Sequence, residues 1–288
     1  MMKKALLALD LSPAEAPLLG CMSELLKWGV RQLVVVHVVR IGYGQGPGYR
    51  QLEDTTTWLE QQMAPLRSAG LEVAVQVRQA GVPADEILIA ASEVSADLVV
   101  VGSRSHNLAH RLFLGSVARD LIQKTRLPLL LQWIEADPQQ AETHCHMVCS
   151  DTLRRVVLAT DLSRHASAAE AMAIALSGQA QQMDCLHVIS SQAIAETPAL
   201  PIMSRAALDA LLGRMQQKGG QGQAMVVETQ DAPADAIART AEAHNHSMIV
   251  VGKHGRHWVK SVLIGSTASR LCEMAGRPVL LVPLADDQ

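Results

Sequence analysis

Two glycines, a nine-residue gap and a Gly-Ser pair make the most chemically suggestive pattern in the chain: Gly252-Lys253-His254-Gly255, then Gly265-Ser266. Glycine at 252 and 255 permits unusual backbone angles and close approach by a ligand. Gly265 and Ser266 at a helix start would offer free backbone N–H groups and the positive end of a dipole, which together bind phosphate. Ser266 adds a hydroxyl donor and Lys253 a nearby cation. Asp161 is an acceptor-only carboxylate that could take donors from an adenine or a ribose. The alternative for Asp161 is a helix cap, a role that Ser163 also fills. No Gly-Lys-Ser/Thr closes the loop, so it is not a Walker motif, and a dinucleotide fingerprint would follow the first strand instead. Spaced glycines after a strand are also what plain turns look like.

Other groupings offer less. His144-Cys145-His146 and Cys149 carry the imidazole and thiolate chemistry of a soft-metal site. They also fit a polar linker that happens to hold four such residues, and no metal site is assigned. His37 and His187 lie within apolar stretches and read as core histidines. His244, His246, His254 and His257 crowd the region of the glycine loop and read mostly as solvated. Gly42, Gly44, Gly46 and Gly48 are too irregular for a phosphate loop and suit a flexible segment. No nucleophile–base–orienter set and no paired carboxylates are visible, so no catalytic residue is assigned.

The elements that must position these residues occur twice. Leu6-Leu7-Ala8-Leu9-Asp10-Leu11-Ser12 recurs as Val157-Leu158-Ala159-Thr160-Asp161-Leu162-Ser163, an offset of 151. Val36-His37-Val38-Val39 recurs as Leu186-His187-Val188-Ile189, and Val82-Pro83-Ala84-Asp85 as Ala232-Pro233-Ala234-Asp235, both at 150. Gly102, Gly115 and Ser116 repeat as Gly252, Gly265 and Ser266. A period this long means two domains rather than a solenoid. The expected division is a domain over 1–135, a linker over 136–152 and a second domain over 153–288.

Each half alternates strand and helix. The first-half strands are expected at 3–9, 32–39, 71–77, 97–101 and 128–133. Helices are expected from Pro13 toward Trp28, with Ser12 as cap, and over 51–69, 83–94 and 115–124. The second-half strands are expected at 153–160, 183–189, 223–228, 247–251 and 278–282. Near-continuous Val/Leu/Ile strands between helices imply α/β architecture: two tandem doubly wound domains, each a five-stranded parallel sheet with helices on both faces. Ligands bind such sheets at the strand carboxyl ends, where the winding reverses. The final apolar strands, at 129–131 and 279–282, are edges that need covering. They are expected to meet within one chain as a pseudo-dimer, with a homodimer left open.

Composition narrows the function classes. With 25 basic and 28 acidic residues, the net charge of −3 leaves no basic excess for a phosphate backbone, so no nucleic-acid partner is expected. Aromatics are 2% of the chain, too few for a base-stacking platform. No apolar run reaches membrane-spanning length, so no membrane partner is expected. Met1-Met2-Lys3-Lys4 and the apolar residues after it imitate a signal peptide, but Asp10 cuts the run short and a first strand is the better reading. The five cysteines are odd in number and irregularly spaced, which fits a reducing cytoplasm rather than a disulfide framework.

A strand ending in Asp, a second strand with His-Val, Gly-x2-Gly-x9-Gly-Ser and a final Pro-Val-Leu strand resemble the universal stress protein family. The likeness runs twice along the chain. It implies two adenine nucleotide alpha hydrolase-like domains and a stress-response module that binds ATP or another adenine nucleotide, with or without magnesium, and has no dedicated catalysis. It also implies that Asp161 and Val188 contact adenine, that Gly252, Gly255, Gly265 and Ser266 hold ribose and phosphates, and that Val251 and Thr267 line the same site. The first-half matches are Asp10, Val38, Gly102, Gly115 and Ser116. Ser105 replaces the second glycine there and Leu9 replaces Thr160, so the second half is expected to be the more competent. Asp231, in place of Gly81, adds negative charge to that half. A slow nucleotide hydrolase and a scaffold that has lost the site are the alternatives. An unidentified protein partner is compatible with each.

Overall fold

Ala5, Leu6 and Leu7, and likewise Val156, Val157 and Leu158, are completely buried, as strands with no polar face must be. The computed structural model describes residues 2–12, 15–40, 49–103, 114–136, 145–147, 151–256 and 263–284. Internal contacts divide the chain into two units, Met1–Ser150 and Asp151–Gln288.

In the first unit the order is β1 (Lys4–Leu9), α1 (Glu15–Cys21), β2 (Gln32–Arg40), α2 (Tyr49–Gln62), α3 (Ala64–Ser68), β3 (Glu72–Ala80), α4 (Pro83–Glu93), β4 (Leu98–Gly102), α5 (Ser116–Lys124) and β5 (Leu129–Gln132). The sheet runs β3-β2-β1-β4-β5, and every pairing is parallel. The winding therefore reverses between β1 and β4, and right-handed crossovers put the later helices on the opposite face from the earlier ones. Leu9 pairs with His37, and Ala8 with Val101, so the carboxyl ends of β1, β2 and β4 come to one rim.

Two expected helices are broken, each for a local reason. The helix expected over 51–69 splits at Met63, because Pro65 has no N–H to continue the ladder and instead opens α3. The helix expected toward Trp28 is α1 followed by a tight 3-10 turn over Met22–Leu26, and Gly29 ends it at φ 91°. Pro17 and Gly20 within α1 weaken its propensity to continue. The cap proposed at Ser12 involves Pro13, which lies outside the described residues.

The segment expected as a plain linker differs from expectation. β6 (Ile134–Ala136) and β7 (Cys145–Met147) pair antiparallel within the first unit, and β7 packs against α1. Their ladder satisfies backbone groups that a coil would leave to water.

The second unit repeats the plan with β8 (Arg155–Ala159), α6 (Ser167–Leu176), β9 (Gln182–Ser190), α7 (Ser191–Glu196), α8 (Leu200–Gln216), β10 (Ala224–Thr229), α9 (Pro233–Ala243), β11 (Met248–Gly252), α10 (Ser266–Met274) and β12 (Val279–Val282). Its parallel order is β10-β9-β8-β11-β12. The repeat extends to backbone detail. Leu11 and Leu162 follow the aspartates at φ 55° and 58°, and Ser95 and Asn245 end the α4 and α9 regions at φ 51° and 53°. Such angles strain residues other than glycine, and their recurrence marks turns that both halves need.

The core is aliphatic, and each fully buried Leu or Val side chain stabilises its unit by about 1.5–3 kcal/mol. Cys21, Cys185 and Cys272 are buried cysteines within it.

Candidate functional site

In the second unit β8 ends at Ala159 and the chain turns through Thr160, Asp161 and Leu162. The Ser163 N–H donates to Asp161 Oδ1 at 3.0 Å. The Arg256 N–H donates to Oδ2 at 2.6 Å, and the Arg256 guanidinium donates to the Asp161 carbonyl at 2.9 Å. Ser163 caps the 3-10 turn Arg164–Ala166 through the His165 N–H. Asp161 is therefore no cap of that turn; it ties the end of β8 to the glycine loop. Sequence reasoning passed over Arg256, whose side chain brings positive charge to this rim. Lys253, expected to supply that charge, is buried.

The glycines act by close approach and not by left-handed backbone. Neither Gly252, Gly255 nor Gly265 has a positive φ. A Cβ at 255 would stand 3.0 Å from Asp161 Oδ2. At 252 it would meet the His254 carbonyl at 3.2 Å, and at 265 the Lys253 carbonyl at 3.4 Å and the Gly255 nitrogen at 3.7 Å. The structure thus gathers Asp161, Gly252, Gly255 and Gly265 into one cradle. Val251 pairs with Ala159 and Leu281 at its floor, and Val188 follows His187 on β9. Gly265, at φ −67° and ψ 148°, precedes α10 without a side-chain cap, so the N–H groups at Ser266 and Thr267 begin an uncapped nine-residue helix. Gly115 precedes α5 in the same way, at φ −57° and ψ 147°.

The histidines sort by their partners. His37 Nδ1 donates to the Leu9 carbonyl at 3.0 Å, and His187 Nδ1 to the Thr160 carbonyl at 2.8 Å. Burial pushes the His187 pKa down, so its neutral ring braces strands. His246 and His254 are buried, against the expectation of solvated rings; His246 Nε2 donates to Asp184 at 2.9 Å and His254 Nε2 to the Leu263 carbonyl at 3.2 Å. His257 lies outside the described residues, as do Ser105, His144, Cys149 and 41–48. Of the metal grouping only the Cys145 and His146 backbone, in β7, is described. Asp231, expected to add negative charge, forms an exposed ion pair with Arg239 at 2.7 Å.

In the first unit Asp10, Val38, Gly102 and Gly115 line one cavity of about 270 Å³ at the carboxyl ends of β1, β2 and β4. Ser116 opens the helix beside it. Leu9 and Ile87 give it an apolar wall, and Glu15, a residue the sequence reading passed over, also faces it. Glu15 is 8% exposed. Burial, then the negative charge of Asp10, pushes its pKa up to about 7. A glutamate beginning an otherwise apolar helix, Glu15-Ala16-Pro17-Leu18-Leu19, was the available signal.

A switch-point rim with a glycine cradle is shared by many α/β proteins, so kinship has to come from the chain as a whole. The family model described as "Universal stress protein family" matches residues 1–131 and again 152–283. The chain belongs to the universal stress protein family. A universal stress protein of Mycolicibacterium smegmatis is 28% identical over 221 residues, covering 74% of this chain and 69% of the relative. Another, from Mycobacterium tuberculosis, is 24% identical over 273 residues, covering 86% of each. The crystal structure of a universal stress protein from Archaeoglobus fulgidus superposes with a TM-score of 0.73 over 99% of this chain and 97% of that one, at 21% identity. At that identity the match speaks for the fold. As a universal stress protein the chain is of the tandem kind, and the family is one of stress response. No described helix is long and apolar enough to cross a membrane.

Proposed function

We propose that this tandem universal stress protein is a regulatory module that binds ATP or a related adenine nucleotide in its second half, without dedicated turnover. The observation that carries the reading is the cradle of Asp161, Gly252, Gly255 and Gly265 in front of the uncapped start of α10. Side chains at 255 and 265 would fill this space, and free N–H groups with a positive dipole end suit phosphate there. The Arg256 guanidinium supports the same charge preference. Asp161 keeps lone pairs for adenine or ribose donors beyond the two backbone bonds it accepts. Val188, Val251, Ser266 and Thr267 would complete the wall, with magnesium as counter-ion to the phosphates. The first-half set of Asp10, Val38, Gly102, Gly115 and Ser116 would form a weaker nucleotide site.

One observation favours the rival scaffold reading. Asp161 already holds the loop through Arg256, so the rim is closed by the chain's own bonds. Mass spectrometry of ligand released from purified protein, with calorimetric titration of ATP with and without magnesium, separates the two. Co-purified or titrated adenine nucleotide supports the proposal, and no binding at millimolar ATP supports the scaffold. Turnover that survives purification and disappears in Gly255→Val would instead support a hydrolase.

A further inference from the structure

We propose that the outward face of α8 is a contact surface for a second copy of this chain, the two helices pairing antiparallel about a two-fold axis at Ala207. The proposal is independent of nucleotide binding, because α8 supplies no residue to the cradle at Asp161. α8 is apolar on both sides. Leu208, Leu211, Leu212 and Met215 are buried, on the side that packs against β9 and β10. On the other side Ile202 is 76% exposed and Met203 62%, and Ala206, Ala207 and Ala210 are exposed with them. Steps of four, four and three residues put Ile202, Ala206, Ala210 and Gly213 in one row. A helix that is apolar all round belongs in a covered place. The first unit shows the solvated version of the same station. There α2, also between the second and third strands, exposes Glu53, Asp54, Thr57, Gln61 and Gln62 beside Trp58.

The charges on this face select its occupant. Arg205 and Asp209 stand along its border as an exposed ion pair at 3.1 Å, one turn apart. An antiparallel partner centred at Ala207 brings residues equally far before and after that point level with each other. Arg205 of each copy then comes level with Asp209 of the other, and the two ion pairs merge into four charges of alternating sign. A partner of a single charge sign would instead set one member of the pair against its own sign. The same register brings Ile202 and Met203 level with Leu212 and Leu211, which turn toward their own core, so the outward row there carries only Ala210 and Gly213. A Cβ at 213 would meet nothing within 4 Å, so that end of the row has room for a partner's side chain. Arg214 comes level with Leu200 and not with a second cation. A two-fold contact of this kind closes on itself and stops at two copies. With 17 residues α8 is about 26 Å long and 10 Å wide, well under the roughly 800 Å² per partner of a stable interface, so the dimer is weak and concentration-dependent.

The test is sedimentation equilibrium of the full chain from about 10 µM to about 1 mM, where a dimer fraction that grows with concentration is expected. Ala206→Glu, at an exposed position in the middle of the row, should weaken the dimer at least tenfold. Arg205→Glu and Asp209→Arg should each weaken it at least threefold, because each sets like charges across the two-fold axis. An equal mixture of those two variants should recover the parent's association, since every cross-chain pair in the mixed dimer is again of opposite sign. Loss of the intrahelical ion pair alone would not be repaired by mixing. Circular dichroism confirms that each variant is folded; if Ala206→Glu is not, the mixing experiment decides alone. A parent chain that stays monomeric at about 1 mM, a dimer as tight in Ala206→Glu as in the parent, or no recovery in the mixture would overturn the proposal.

Discussion

Asp161 and Gly255 lie so close that a single methyl group at 255 would stand 3.0 Å from the Asp161 carboxylate oxygen Oδ2. The oxygen that would be crowded is the one accepting the Arg256 N–H at 2.6 Å. Space, and not torsion angle, is what a side chain here would contend with, because the carboxylate would have to give by a few tenths of an ångström. Gly255→Val should therefore displace the Asp161 carboxylate and weaken ATP binding at least tenfold, which is about 1.4 kcal/mol. Gly115→Val, in the other unit, should leave the tighter binding phase nearly intact. Titration calorimetry on both variants checks this, and a reversed pattern would place the tighter site in the first half.

Asp161→Asn removes the charge and turns an acceptor into a group that can present N–H₂ to the Arg256 N–H. The loop at 252–256 should then open more often. Amide hydrogen exchange at Arg256 and Ser163 should quicken, with a stability loss on the order of 1–2 kcal/mol in the second unit. Unchanged protection at Arg256 would show that the loop is held by other contacts.

Glu15 makes the first unit's stability depend on pH in a defined window. Its pKa rises from 4.5 to about 7 on folding. Between those values the folded state binds the proton and the unfolded state does not, so stability falls as pH rises from 4.5 to 7. Above 7 the penalty is complete. Glu15→Gln should stabilise the protein at pH 8 by on the order of 1–3 kcal/mol and change little near pH 4.5. Urea denaturation at the two pH values reads the difference, and a gain equal at both would contradict the titration.

Asp184 works in the opposite sense. Burial alone would raise its pKa. Hydrogen bonds from His246, Gln182 and the Gln223 N–H outweigh that and hold it below the ordinary 3.8. The stability it contributes is present above pH 3.8 and is lost as pH falls below that value. Asp184→Ala should cost about 3–5 kcal/mol at pH 7, because it strands the buried His246 and removes the partner of Arg155. Differential scanning calorimetry should show the loss in the transition of the second unit.

Much of the architecture was legible because its signals are local or periodic. The aliphatic strands, Gly29, Pro83 and Pro233 announced their elements, and the 150-residue recurrence announced two domains. His187 was legible as a core residue from its apolar neighbours, whereas His37 is half-buried and lines the first-unit cavity while bonding the Leu9 carbonyl. Pro65 is a helix breaker visible in the sequence, and the helix expected over 51–69 runs across it.

The sequence by itself determined that each half is a doubly wound parallel sheet whose switch point carries Asp10 or Asp161 beside a glycine loop. These properties follow from residue type and order along the chain. Tertiary structure alone decided that Gly255 stands against Asp161, that Arg256 bonds Asp161 while Lys253 is buried, that His246 is buried on Asp184, and that Glu15 faces an apolar cavity. Each pairs groups far apart in the chain, or sets burial by what packs across the rim. Residue type gives a side chain its chemistry, but the pKa and the partner come from the dielectric and the neighbours that folding assembles.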